Sequence, residues 1–395
     1  MNWLNIISRV IFITLLIAHT GCANSTQEAE IASVMGKLKD TDPGVRKSAA
    51  EALGNIGKNS DCSIQALLKM VNDPHPEVRY AAAVSLGTIG SENDTAVLEL
   101  IKLSKSTDKT SRAYAVYALG CSGAGVADVI PTLLEALNDE NRDVRMYAAQ
   151  ALGNFNPDVS HIIPQLTFIL LDSNKSHRES AAEALGCIGL HSVEAEKALI
   201  QAFGDENPHV RYSAVIALEK IKCDTSVSVP IFISALHDEI WYVRSSAAQI
   251  LGKMGKQAEN AVPALICAIK DEEWYVRSSA AHAMASIVTN PQTVIPELIA
   301  ILQDEDPYIR KYAIFALACL GQNAKESIPA IISALHDEDS MVRISAADAL
   351  GKIGTDNMDT IIALMAASKD ENSDVRFKIA NVLRKCNNYP TGNSF

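Results

Sequence analysis

Asp337-Glu338-Asp339-Ser340-Met341-Val342-Arg343-Ile344-Ser345-Ala346-Ala347-Asp348-Ala349-Leu350-Gly351 is the stretch that decides the fold. Its skeleton is an Asp, an Arg six residues on, then Ala, Leu and Gly three, seven and eight residues after the Arg. The same skeleton returns every 33 residues, at Arg46, Arg79, Arg112, Arg145, Arg178, Arg211, Arg244, Arg277, Arg310, Arg343 and Arg376, without an insertion. The Asp is present in ten of these eleven repeats, Ser106 being the exception. Ala is present in ten (Ile379 in the other), Leu in ten (Met284 in the other) and Gly in seven. Self-similarity at a fixed period of this size is the signature of a stacked repeat array.

Each repeat reads as two helices. In Ser327–Gly354, Ile328, Ile331, Ile332 and Leu335 share one helical face. Pro329 sits near that helix's start, where its missing N–H costs little, and Pro131, Pro164, Pro230, Pro263 and Pro296 recur at the same place. After the turn at His336 to Ser340, Val342, Ala346, Ala349, Leu350 and Ile353 form the buried face of a second helix. Gly351 lets a neighbour approach and Gly354 caps the end. A single helix pair cannot bury such a face, but stacking can. Ser25-Thr26-Gln27-Glu28 offers a capping box for the first helix. At the other end Ile379, Val382 and Arg384 depart from the pattern, and Lys378, Arg384 and Lys385 give a polar, basic outer side.

The chain has 395 residues, 48% hydrophobic and 21% charged, a balance that excludes a disordered protein. A net charge of −12 argues against a duplex nucleic-acid binder, which needs a basic face.

The 33-residue period is shared with ankyrin repeats, but no repeat carries their T-P-L-H turn. The D-x5-R-x2-A-x3-L-G pattern, as in Asp337, Arg343, Ala346, Leu350 and Gly351, resembles the short HEAT repeat of the phycobilisome-lyase-like type over about residues 25–388. This resemblance implies an all-α fold, a right-handed α-solenoid of eleven repeats over 27–388. First helices would lie on the convex side and second helices on the concave side. It further implies a structural ladder between repeats through Asp238, Arg244, Asp271, Arg277, Asp304, Arg310, Asp337 and Arg343. In that ladder each guanidinium bridges helix-end carbonyls and Asp carboxylates.

Residues 1–22 read as a secretory signal: Arg9, then the short apolar stretch Val10 to Ala18. Ala18-His19-Thr20-Gly21-Cys22 resembles the lipobox of bacterial lipoproteins, although His19 stands where that family usually has Leu. The resemblance implies cleavage before Cys22, lipidation of Cys22, a tether at 23–26 and a membrane-anchored protein of the cell envelope. Ordinary signal-peptidase cleavage after Ala23 and a retained cytoplasmic start are the alternatives. Residues 389–395 form a short tail expected to be loose.

Chemistry-bearing residues are few. Eleven Asp/Arg copies at one period are architecture, since catalysis needs one site. The Asp-Glu dyads from Asp139-Glu140 to Asp370-Glu371 fall in the same turn each time, and would give one edge an acidic character suited to a basic partner. His237 and His336 are three repeats apart, too far to share a metal, and no His-Glu pair or C-x2-C motif occurs. No catalytic residue, metal or cofactor is expected. Cys62, Cys121, Cys187, Cys223, Cys267, Cys319 and Cys386 read as small core residues, and seven thiols beyond Cys22 are unusual for an exported protein.

The aromatic residues stand out. Trp241-Tyr242-Val243-Arg244-Ser245-Ser246-Ala247-Ala248 is repeated as Trp274-Tyr275-Val276-Arg277-Ser278-Ser279-Ala280-Ala281, with Tyr308 in the next repeat. At the tryptophan position other repeats carry Pro, Lys, Arg or Ser, so the repeat itself does not need these rings. Tyr114, Tyr117, Tyr147 and Tyr312 fall on second helices as well. Trp and Tyr are the commonest interface hot spots, and they also pack well. The expectation is a monomeric, non-enzymatic scaffold that binds a protein or peptide through its concave face and aromatic rim, with no nucleic acid. A phycobilin-lyase-like role in chromophore attachment is the alternative, by fold analogy.

Overall fold

The computed structural model describes residues 28–58, 60–123, 128–155, 160–189, 192–354 and 357–385. The signal segment 1–22 with Cys22, the tether 23–26, most of the capping box, Cys386 and the tail 389–395 lie outside these residues. The described residues are helical throughout, without a strand, and none of their helices is long and apolar enough to cross a membrane. The chain is an α-solenoid of eleven two-helix repeats.

The chain divides into two compact bodies, Met1–Ala202 and Phe203–Phe395. In the first, the second helices Pro43–Ile56, Pro76–Gly90, Lys109–Ser122, Arg142–Asn154 and Lys175–Ile188 pack side by side in one layer. The first helices, among them Asp61–Met70, Asp94–Leu103 and Val129–Ala136, form the other layer. The second body repeats this with second helices Pro208–Lys220, Trp241–Met254, Trp274–Ile287, Pro307–Leu320, Ser340–Ile353 and Ser373–Lys385. Its first helices include Thr225–Ala235, Val262–Ala268, Pro291–Ile301, Ile328–Ala334 and Met358–Ala367.

The residues of the skeleton explain the layering. Ala49, Ala148, Ala247, Ala346 and their equivalents are buried, as are Leu53, Leu152, Leu251 and Leu350. Small side chains bring second helices close, and glycine brings them closer. A Cβ on Gly120 would lie 2.6 Å from the Ala151 Cβ, and one on Gly252 3.0 Å from the Ala283 Cα. Most second helices begin on a side-chain cap: the carboxylates of Asp42, Asp108, Asp306 and Asp339 and the amide oxygens of Asn141, Asn174 and Asn207 accept first-turn N–H groups.

Two expectations need correction. Pro230 and Pro296 lie inside Thr225–Ala235 and Pro291–Ile301, because those helices begin a turn earlier. In the repeats of Pro263 and Pro329 that extra turn is 3-10 (Gly255–Ala261 and Gly321–Ser327), and the proline opens the α-helix. The cysteines are also not uniformly core residues: Cys223 is buried, Cys187 and Cys319 are half-buried, and Cys62, Cys121 and Cys267 are exposed. Cys121 and Cys187 follow a glycine and Cys319 follows Ala318, each two residues after the buried Leu and so about 200° round the helix from it.

Candidate functional site

The Asp/Arg ladder sets the frame. Arg244 Nε and Nη2 donate to the Asp271 carboxylate at 2.7 and 2.8 Å, and Nη1 donates to the carbonyls of Asp238 and Glu239 at 2.9 and 3.1 Å. Arg46, Arg112, Arg211, Arg310 and Arg343 do the same with Asp73, Asp139, Asp238, Asp337 and Asp370. These hydrogen bonds hold the guanidinium of Arg244 above its ordinary range and the carboxyl of Asp370 below its own. The aspartates also close their own turns. The Oδ1 of each accepts the N–H two residues on, as Asp238 does from Ile240 and Asp337 from Asp339.

The ladder is not uniform. The Asp304 carboxylate accepts from Lys270 Nζ at 2.9 Å, and Arg277 Nε is buried without a partner; Arg277 instead lies 5.8 Å over the Tyr308 ring and 5.3 Å over the Tyr312 ring. The ladder expected through Arg277 and Asp304 is therefore open there, because a lysine one position before Asp271 reaches the carboxylate first. Arg145 Nε donates to Ser180 Oγ at 3.1 Å, while Asp172 lies 3.5 Å from His177.

Beside the open rung runs an aromatic row. The His209 ring stacks on Tyr242 at 5.8 Å, and Tyr212 meets the same ring edge-on at 5.5 Å. Tyr242 meets Trp241 at 5.7 Å, Trp241 stacks on Tyr275 at 5.1 Å, and Tyr275 lies 3.6 Å from Trp274. The two tryptophans thus join through Tyr275, and Tyr308 belongs with Tyr312 around Arg277. Trp241 is 38% exposed, Trp274 49% and Tyr275 47%, so the rings pack on one another and still face solvent. Their helices lack a side-chain cap: Ile240 and Glu273 stand at the N-cap and make no cap bond. In these two repeats the helix start gives up a cap, a contribution of about 1 kcal/mol elsewhere, and presents an indole.

A groove of about 580 Å³ opens against Trp274 and Tyr275, lined also by Gln249, Lys253, Ser278, Ser279 and His282. Ser245 and Ser279 hydroxyls are 3.0 Å apart, and Gln249 Nε2 donates to both, at 3.3 and 3.2 Å. Sequence reasoning missed these polar residues. The signal was present in the duplicated octapeptide, whose Ser-Ser pair recurs with the aromatic pair. In the N-terminal body, Tyr80, Tyr117 and Tyr147 form a second, shorter row, with ring separations of 5.4 and 5.2 Å. The hydrogen bond between the Tyr80 and Tyr117 hydroxyls, 3.0 Å, raises the Tyr117 phenol above its ordinary range, and burial adds to this. Tyr114 lies beneath Arg79, 5.7 Å away. Among the described residues no cluster of three His, Cys, Asp or Glu side chains could hold a metal ion.

The family model for HEAT repeats matches residues 31–103, 97–162, 163–239, 229–294 and 295–384. The chain belongs to the HEAT-repeat family. No curated protein sequence matches it. Among solved structures it is similar to importin beta crystallised in an ammonium sulfate condition, with 15% identity over 94% of this chain and 59% of that one, at a TM-score of 0.59. It is similar to Kap121p bound to Ste12p, with 14% identity over 92% of this chain and 46% of that one, at 0.60. The structure titled for Kap95p binding to RanGDP gives 15% identity over 90% and 56%, at 0.58. The chain spans about half the length of these solenoids, and the likeness is one of fold.

Proposed function

We propose that this HEAT-repeat chain is a non-enzymatic scaffold that binds a protein or peptide along the second-helix layer of its C-terminal body. The observation that carries the reading is the row Tyr242, Trp241, Tyr275 and Trp274, in which Trp241, Tyr275 and Trp274 are exposed, beside a groove of about 580 Å³. Exposed Trp and Tyr rings already ordered by one another lose little freedom on binding, which is what a hot spot requires. Ser278, Ser279, Gln249 and His282 add hydrogen-bonding groups to the floor and wall, as a binding groove needs. The departures from the repeat coincide here: two lost caps, two added indoles and one open rung. Local rules broken without a structural gain mark functional positions. The acidic turns would favour a basic partner at encounter. We further propose that the mature chain begins at a lipidated Cys22 and acts at a membrane surface of the cell envelope. The support is the Val10 to Cys22 sequence.

A photo-crosslinking residue placed at Tyr275, in the native host, tests the binding reading. A discrete protein adduct is expected there and not at Phe168, an exposed first-helix position. The adduct is expected to disappear when Trp241→Ala and Trp274→Ala are combined. An adduct that survives the double substitution, or equal labelling from Phe168, refutes it. For the anchor, intact mass and detergent partition of the native protein and a Cys22→Ala variant decide: lipid mass on wild type alone supports it, and a full-length unlipidated chain refutes it.

A further inference from the structure

The N-terminal body holds a second, independent site. Asp stands at the ladder position in every repeat but one, where Ser106 takes its place. The serine keeps half of the aspartate's work: its Oγ accepts the Asp108 N–H at 3.2 Å, so the turn closes as elsewhere. It cannot do the other half, because it is too short and uncharged to meet the guanidinium of the preceding repeat. That guanidinium is Arg79. Its Nη1 donates to the carbonyls of Asp73 and Pro74 at 2.9 and 3.0 Å, as every ladder arginine does with its own turn. Its Nε is buried and has no acceptor.

A pocket of about 440 Å³ opens at this point, lined by Arg79, Ser106, Thr110 and the turn around them. Two carboxylates stand in its wall, and both are already engaged. Asp73 takes Arg46 Nε and Nη2 at 2.7 and 2.8 Å. Asp108 caps Lys109–Ser122, accepting the Ser111 N–H at 2.7 Å and the Ser111 hydroxyl at 2.8 Å. Arg79 is the one cation among the residues that line the pocket, and its own hydrogen bonds go to two carbonyls, with the Tyr114 ring 5.7 Å away.

We propose that this pocket binds a carboxylate, whose two oxygens take the bidentate place on Arg79 that Asp side chains take on Arg46 and Arg112. The chain supplies its own templates: Arg46, Arg112, Arg211, Arg244, Arg310 and Arg343 each hold a carboxylate in that geometry, at 2.7 to 3.0 Å. The Ser106 and Thr110 hydroxyls are the additional donors within the pocket. Asp73 and Asp108 in the wall repel a dianion such as sulfate or phosphate more strongly than a singly charged carboxylate, which is therefore favoured. The Arg277 site differs, since Asp304 is present there and is held by Lys270.

The test is to follow the Nε–Hε resonances of the arginines in the full chain, with the Arg79 signal assigned by its loss in Arg79→Lys. Acetate is titrated over the millimolar range at constant ionic strength, with chloride and sulfate as comparison anions. The expected result is a saturable displacement of the Arg79 signal by acetate, with the Arg46 and Arg112 signals unmoved. In Ser106→Asp the Arg79 signal is expected to sit already displaced and to ignore acetate. An unmoved Arg79 signal overturns the proposal. So does an equal response to chloride or sulfate, or a response that persists in Ser106→Asp. A capped Gly-Asp-Gly peptide separates the sources: half-saturation at roughly tenfold lower concentration than acetate assigns the carboxylate to a polypeptide side chain, and equal affinity assigns it to a small free carboxylate.

Discussion

The uneven ladder yields a paired prediction. Asp271→Asn and Asp304→Asn are the same chemical change at equivalent positions of adjacent repeats. Both keep the Oδ1 that accepts an N–H two residues on, from Glu273 at 2.9 Å and from Asp306 at 3.2 Å. They differ in what the charge does. Asp271 is the bidentate partner of Arg244, with both side chains about one-tenth exposed. Asn there turns an acceptor into a donor facing Nε or Nη2, and leaves a buried guanidinium held by two carbonyls alone. Breaking a buried pair on one side costs about 3–5 kcal/mol, and the retained carbonyl bonds put this case near 2–3 kcal/mol. Asp304 holds only Lys270, which is half exposed, and Arg277 is already without it. A solvent-screened pair of that kind is worth about 0–1 kcal/mol. For a body of this size each kcal/mol is about 2–4 °C in Tm. Urea and thermal unfolding of the two variants, with hydrogen exchange read at Ala280 to Met284, check the difference. Equal costs for the two substitutions would refute the assignment of the rungs.

Other expectations follow from the same geometry. Asp370, held low by Arg343, contributes stability that is complete above the ordinary carboxylate range and lost as pH falls through its depressed folded value, so Asp370→Asn is expected to flatten the fall in Tm as pH drops below the ordinary carboxylate range. Gly120→Ala is expected to destabilise by about 1–3 kcal/mol through its clash with Ala151, despite the gain in helix propensity. Gly36→Ala, in the helix over 28–37 with nothing within 4 Å, is expected to stabilise by about 0.5–1 kcal/mol; denaturant midpoints distinguish the two. Trp274→Ala, half exposed, is expected to change stability by no more than about 1 kcal/mol while weakening partner capture at least tenfold; a large loss of stability would assign the ring to packing. Alkylation followed by mass spectrometry is expected to modify Cys62 and Cys267 first. Cys121 should follow later, because burial of its sulfur raises the thiol's pKa, and buried Cys223 last.

Much of the fold was legible because a repeat prints its own alignment. The skeleton was written up to eleven times, so a glycine such as Gly351 could be read as admitting a close neighbour, while Arg244 between two turns was expected from the resemblance to HEAT repeats. What could not be read were choices between competitors at equal reach. The repeat assigns Asp304 to Arg277, and only side-chain geometry shows that Lys270 holds it instead. The exposure of Cys121 depends on an angle of about 100° per residue round a helix whose neighbours are not in the sequence. The helix starts before Pro230 and Pro296 depend on whether one preceding turn is α or 3-10, a difference of one residue in hydrogen-bond register.

The candidate site was half legible for the same reason. Trp241 and Trp274 were conspicuous as departures from a position that elsewhere holds Pro, Lys, Arg or Ser, whereas Ser279 and Gln249 looked like ordinary surface residues of a second helix. Only the stacking of Trp241–Met254 on Trp274–Ile287 brings the Ser245 and Ser279 hydroxyls to 3.0 Å beneath the Gln249 amide. Ser106 is the converse case: it is conspicuous in the sequence and structurally quiet, since it keeps the turn. Its consequence appears one repeat away, on Arg79, which loses the acceptor that its counterparts Arg46 and Arg112 retain. In a periodic chain a substitution can therefore be silent where it stands and expressed in the neighbour that it no longer satisfies. The Trp274 repeat shows the opposite coupling, in which the local cost of a missing cap at Glu273 is borne in the same helix whose exposed ring and serine pair line the groove.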